Sequence, residues 1–189
     1  MLDVKIVRRG EIWQYNPAIR DYTDDDVFHA ISGTPAIASD KLRLNGDEII
    51  TYGTVFQFGS LEFYLTIPAV PTTGDVRQFG FKNNGDLGKM IFDVTDDVFS
   101  AKVYDAAGTI IDTKTIEWDS TWTAAEARFR ITWEDRNIIF AVDDVIVATF
   151  NAGFDKDIID SDIMNKFPMN GYLKNTNADN LDCSLIQYR

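Results

Sequence analysis

The chain has 189 residues, of which 45% are hydrophobic, 13% aromatic and 25% charged, a globular composition and a length suited to one well-filled β domain. Its formal net charge is -12, without any run of Lys and Arg, which argues against nucleic acid and anionic membranes as partners and fits neutral sugars, cationic ligands, metal ions or simply a soluble surface. Cys183 is the sole cysteine and His29 the sole histidine, so an intrachain disulfide and a histidine-rich metal site are impossible.

In chain order, alternating or β-rich runs predict strands at 3–7, 11–15, 36–38, 41–44, 48–52, 61–67, 76–82, 89–94, 99–104 and 109–118. A three-strand meander follows over 128–150, then strands at 168–174 and 182–188. Turn residues separate them, among them Asn45-Gly46-Asp47, Pro71 to Gly74, Asn83 to Asp86 and Ala106-Ala107-Gly108. The one helical candidate is short, 155–164. Many short strands with almost no helical period predict an all-β, two-sheet antiparallel jelly-roll sandwich forming a single domain over 1–189, with the amino-terminal strands lying within 1–35. The opening MLDVKIVRRG lacks the apolar core of a signal peptide and no run reaches membrane-spanning length. Location stays open, with the extracellular space or a virion surface favoured if the ligand is a glycan.

The meander is the most informative stretch. Phe129, Ile131 and Trp133 fall on one face of its first strand, with Arg128, Arg130, Thr132 and Glu134 on the other, and Ile138, Phe140 and Val142 repeat the apolar face. At its second turn, Asp143-Asp144 occupies the centre of a two-residue hairpin, where a type I′ turn demands positive φ twice.

This hairpin resembles the one in the concanavalin A-like lectin and glucanase superfamily in which a tryptophan strand leads into an Asp-Gly turn. The resemblance continues in order through AIASDKLRL at 36–44, Tyr52-Gly53 with Phe58 to Phe63, VRQFGFK at 76–82, FPMNGYLKN at 167–175 and SLIQYR at 184–189. It is closest to the laminarinase and lichenase group of glycoside hydrolases, and laminin G-like and legume-lectin domains share the fold without the chemistry.

That group carries acidic residues at i, i+2 and i+4 of one strand, two of them acting as nucleophile and acid/base about 5 Å apart. The strand in this place reads Lys89-Met90-Ile91-Phe92-Asp93. Met90, Phe92 and Val94 keep the core alternation, so Lys89, Ile91 and Asp93 face the cleft. A cation stands for the nucleophile and an apolar residue for the middle acid. No glutamate lies between Glu62 and Glu117, so a register slip does not restore the motif. Gly80 stands where the family often sets a tryptophan on the cleft floor. These departures imply a chain without hydrolase activity.

Two function classes follow. The first is a non-catalytic, lectin-like glycan-binding module lined by Gln78, Lys82, Lys89, Asp93, Tyr104 and Asn170, with Trp118 and Trp122 as rings for pyranose stacking. The second is a structural or assembly domain of a virion, phage tail or cell-surface array; a hydrolase with a rebuilt site is third. An exposed ring over a polar groove favours binding, and a groove filled by its own side chains favours assembly. No cofactor is expected, apart from a structural calcium at Asn175, Asn177, Asp179 and Asp182, which space oxygen ligands along a loop without the distal Glu of an EF-hand.

Overall fold

Alternation of period two gives each strand one apolar face, and two sheets bury those faces against each other. The structure is a computed structural model that describes residues 13–18, 28–51, 59–67, 74–83, 87–134, 137–151, 169–176 and 179–188. Within these, the strands are β1 (Trp13–Tyr15), β2 (Phe28–Ser32), β3 (Ala36–Ala38), β4 (Lys41–Leu44), β5 (Glu48–Thr51), β6 (Gly59–Thr66), β7 (Val76–Asn83) and β8 (Lys89–Thr95). They continue as β9 (Val98–Tyr104), β10 (Ile110–Thr115), β11 (Ala127–Glu134), β12 (Asn137–Val142), β13 (Val145–Asn151), β14 (Met169–Asn175) and β15 (Leu181–Tyr188), with one helical turn, α1 (Thr121–Ala124).

One sheet runs β13-β12-β11-β6-β15-β4-β3, with β1 also on β15, and the other runs β10-β9-β8-β7-β14-β5-β2. All pairings among the described residues are antiparallel. The meander is β11-β12-β13, in the register its apolar face requires, with Ile131 opposite Phe140 and Trp133 opposite Ile138.

Between the sheets lies an aromatic cluster. Phe79 stacks on Phe92 at 5.3 Å between ring centres, Phe92 stacks on Phe99 at 5.7 Å, and Phe129 and Phe140 each meet this group edge-on at 5.0 Å. Edge-to-face and offset pairs of this kind each add about 0.5–1.5 kcal/mol beyond area burial. Met90, Phe92 and Val94 all lie in the core, which fixes which face of β8 points outward. Near the end of β14, the buried Asn175 donates from Nδ2 to the carbonyls of Leu44 and Asp179, both at 2.8 Å. Asp47, also buried, accepts the amides of Thr34 and Asn45. Loop backbone that would otherwise lack partners is satisfied this way.

Three details differ from expectation. The strand expected over 109–118 ends at Thr115, because Ile116 turns into the core and Asp119 caps a helical turn by accepting the Thr121 amide at 2.9 Å. That turn, α1, and the strand β2 were not anticipated. The expected strand at 3–7, helix at 155–164 and turn residues 84–86 lie outside the described residues.

Positive φ occurs at both central residues of three hairpins: Ser39-Asp40 (52° and 60°), Asp96-Asp97 (54° and 77°) and Asp143-Asp144 (47° and 68°). Asp143 also accepts the Arg128 amide at 2.8 Å, while the exposed Asp144 carboxylate pairs with Arg128 and Arg130. Asp144→Gly relieves a strained φ, worth about 0.5–1 kcal/mol, and loses surface ion pairs of about 0.2–1 kcal/mol. Denaturant unfolding should therefore place it within about 1 kcal/mol of the parent. Trp133 is 3% exposed, and Trp133→Ala should cost about 3–5 kcal/mol in the same assay; a loss below about 1 kcal/mol would contradict its place in the core.

Candidate functional site

The outward face of the β10-to-β2 sheet collects the polar residues that the core alternation leaves over. Because cross-strand partners share a face, three rows can be read from the register. The first runs Ser100, Asp93, Gln78, Lys174, Glu48 and Ser32 from β9 to β2. The second runs Lys102, Ile91, Gly80, Tyr172 and Ile50, and the third Tyr104, Lys89, Lys82 and Asn170.

Asp93 sits at the middle of a closed network and is 1% exposed. Its Oδ1 accepts from the Thr95 hydroxyl at 2.6 Å and pairs with Lys102 Nζ at 3.1 Å, and its Oδ2 accepts from Gln78 Nε2 at 2.6 Å. A buried carboxylate needs this much compensation to remain charged. Gln78 Oε1 in turn accepts from Lys89 Nζ at 3.4 Å and Tyr172 OH at 3.3 Å. The other carboxylate of the face, Glu48, pairs with Lys82 at 3.1 Å and Lys174 at 3.4 Å. Burial pulls its carboxyl upward, but the two ammonium groups outweigh that and hold it below the usual range.

Asp93 and Glu48 stand in one row with β7 and β14 between them, three strand spacings or about 14 Å apart. Glycosidase carboxyl pairs stand about 5–5.5 Å apart in retaining enzymes and about 6.5–9.5 Å in inverting ones. Both carboxylates are also spoken for by lysines. The tyrosines offer no base: burial, followed by the Asp93 charge, pushes the Tyr104 hydroxyl up to about 12, and burial with the Glu48 and Asp93 charges raises Tyr172 further.

Over the centre of the face, Ile91, Tyr104 and Tyr172 form a small apolar cluster with Ile50. Lys89 Nζ lies 4.5 Å from the Tyr104 ring centre and 5.8 Å from that of Tyr172, and Lys82 Nζ lies 4.9 Å from Tyr172. Gly80 lies beneath, at φ 154°. A Cβ there would come within 2.3 Å of the Met90 carbonyl oxygen, so the backbone excludes any side chain, the tryptophan of the resembling hydrolases included.

The structure therefore brings together six of the expected lining residues, Gln78, Lys82, Lys89, Asp93, Tyr104 and Asn170, on one sheet face. It moves Trp118 and Trp122 elsewhere. Their rings meet edge-on at 5.5 Å and both pack on Phe99, Trp122 within the core and Trp118 against it, because the chain turns inward at Ile116. They are structural plugs that border a shallow cleft with Glu117, Asp119 and Val147. Of the calcium set, Asp182 pairs with Arg43, Oδ1 to Nε at 2.7 Å and Oδ2 to Nη2 at 2.8 Å, Asn175 donates its amide nitrogen to backbone carbonyls, Asp179 is exposed, and Asn177 lies outside the described residues. Among the described residues, no group of three or more His, Cys, Asp or Glu is placed to hold a metal ion.

Sequence reasoning missed Tyr172, Lys102, Lys174 and Glu48. The first three sit two residues from Asn170, Tyr104 and Tyr172 in their strands, so period-two spacing carried the signal.

No protein-family model and no curated protein matches the chain. Solved structures do. The apo Crh5 transglycosylase matches at 15% identity over 94% of this chain and 83% of that one, TM-score 0.71. An endo-beta-1,3-glucanase from Pyrococcus furiosus matches at 9% over 93% and 92%, TM-score 0.71, and the Emp47p carbohydrate recognition domain at 8% over 92% and 92%, TM-score 0.64. The chain has the concanavalin A-like jelly-roll fold that these glucanases share.

Removing one partner of the Asp93 network should show its weight. Lys102→Met leaves the buried Asp93 carboxylate without its ammonium and should cost about 2–3 kcal/mol, below the ~3–5 kcal/mol of a fully buried pair because Lys102 keeps some contact with water. Asp93→Asn in the Lys102→Met background should recover part of that loss; denaturant midpoints measure both.

Proposed function

We propose that this concanavalin A-like sandwich is a glycan-binding module that does not cleave its ligand. The observation that carries the reading is β8, whose outward residues Lys89, Ile91 and Asp93 present one carboxylate, neutralised by Lys102, where a hydrolase needs two opposed acids. The polar rows of the sheet provide fixed donors and acceptors of the kind that sugar hydroxyls require. Known proteins of this fold include a carbohydrate recognition domain and glycan-active enzymes, which supports a glycan ligand by analogy of fold.

The net charge of -12 disfavours nucleic acid and anionic membranes as partners, and a glycan ligand fits a place outside a cell or on a virion surface. The same charge favoured neutral glycans. The face itself has the opposite sign, with Lys82, Lys89, Lys102 and Lys174 against Asp93 and Glu48 among the described residues.

One observation favours the second reading, an assembly domain: Ile91 and Tyr172 close the middle of the face with their own side chains and are almost fully buried. Val145 and Ile146 also stand exposed on the edge strand β13. Affinity electrophoresis through gels containing neutral or acidic polysaccharides separates the two. Retention in at least one gel is expected, with no reducing ends released from β-1,3- or mixed-linkage glucan between pH 4 and 9. Turnover would overturn the non-catalytic assignment, and free migration through every gel would leave the assembly reading.

A further inference from the structure

The third row of the face ends in a corner whose chemistry is incomplete. Lys82, Lys102 and Lys174 each have a carboxylate within 3.5 Å. Lys89 has none within ion-pair distance among the described residues, although it is only partly exposed. Its ammonium lies over two tyrosine rings and donates to the neutral Gln78 amide oxygen. Burial, and next the charge of the neighbouring Lys82, lower its affinity for a proton. Beside Lys82 in the register is Asn170, 3% exposed, whose Oδ1 is buried without a hydrogen-bond partner. A cation lacking a counter-ion and an amide oxygen lacking a donor thus flank Lys82 on the same row.

We infer that the corner formed by Lys82, Lys89 and Asn170 is a subsite for an acidic sugar residue, its carboxylate or sulfate ester lying against the two ammonium groups and a ring hydroxyl donating to Asn170 Oδ1. This assignment rests on the glycan-binding reading of the same face. An anionic substituent meets both ammonium groups, while a neutral sugar leaves Lys89 without a counter-charge and sets a desolvation cost against its binding. The acidic remainder of the chain does not prevent this, because charges more than a Debye length away, about 8 Å at physiological salt, are largely screened. The tyrosine rings lie nearly buried beneath the two ammonium groups and hold them in place, with Tyr172 OH and Tyr104 OH still protonated at neutral pH.

Calorimetric titration with sodium polygalacturonate, dextran sulfate and neutral dextran tests the subsite, at about 50 mM and about 200 mM NaCl. Binding to at least one anionic polymer and none to dextran is expected, weakening several-fold at the higher salt as ions are released. Preference for polygalacturonate identifies the carboxylate, and preference for dextran sulfate the sulfate ester. Lys89→Gln should weaken binding by about tenfold, the loss of one charge-assisted contact, and Lys89→Arg should retain most of it. Arg130→Gln removes the same unit of charge from the other sheet, where Arg130 pairs with Asp144, and should leave affinity within about twofold. Equal weakening by Arg130→Gln would show attraction by charge alone and overturn the subsite. Binding confined to neutral glycans would overturn it too while leaving the glycan-binding module intact, whereas failure to bind any glycan would remove both.

Discussion

The stacking of Phe79, Phe92 and Phe99 against Phe129 and Phe140 sets everything else on this molecule. These rings come from β7, β8, β9, β11 and β12, so they tie both sheets together through residues distant in sequence. A strand with Phe92 inside has Ile91 and Asp93 outside. Sliding β8 by one residue would bury Asp93 in the aromatic cluster and expose Met90 and Phe92, which no rearrangement of the outer face could offset. The polar rows are in that sense a by-product of the core. Their geometry is set by that core.

Legibility followed the strength of the periodic signal. The meander, the β8 register and the Asp143-Asp144 turn were readable because each apolar position was checked by another two residues away. Trp118 and Trp122 were misplaced for the converse reason. Trp118 was assigned to a strand that ends three residues earlier, at Thr115, and Trp122 lies in no alternating run, so neither had a strand face from which its direction could be inferred. Spacing alone was also silent on partners from afar: Asp182, read as a loop oxygen, pairs with Arg43, 139 residues away in sequence. Tyr172, two residues from Asn170 in β14, was within reach of alternation reasoning.

Charge shows the same gap between whole and part. A chain of net charge -12 carries a sheet face on which lysines outnumber carboxylates. Composition reports the long-range field, which salt screens within about a nanometre. Recognition by contact depends on the handful of groups that a register brings together, and one lysine from each of β7, β8, β9 and β14 contributes little to a sum over the chain. Inference from total charge to ligand class therefore holds for encounter and solubility, and much less for the chemistry of a particular site.

The three hairpins turned on Ser39-Asp40, Asp96-Asp97 and Asp143-Asp144, with no glycine at any central position, bear on how the chain reaches its fold. Left-handed backbone at such residues costs about 1 kcal/mol each relative to glycine. In the unfolded ensemble these turns therefore close less often than Asn-Gly turns would, and early hairpins are correspondingly rare. Collapse of the phenylalanines must then come before, or together with, turn formation, so the rate-limiting event is the meeting of remote segments rather than the zipping of neighbours. Contacts this remote in sequence favour slow folding, and the polar face of the β10-to-β2 sheet is complete only when the strands on either side of it are in place.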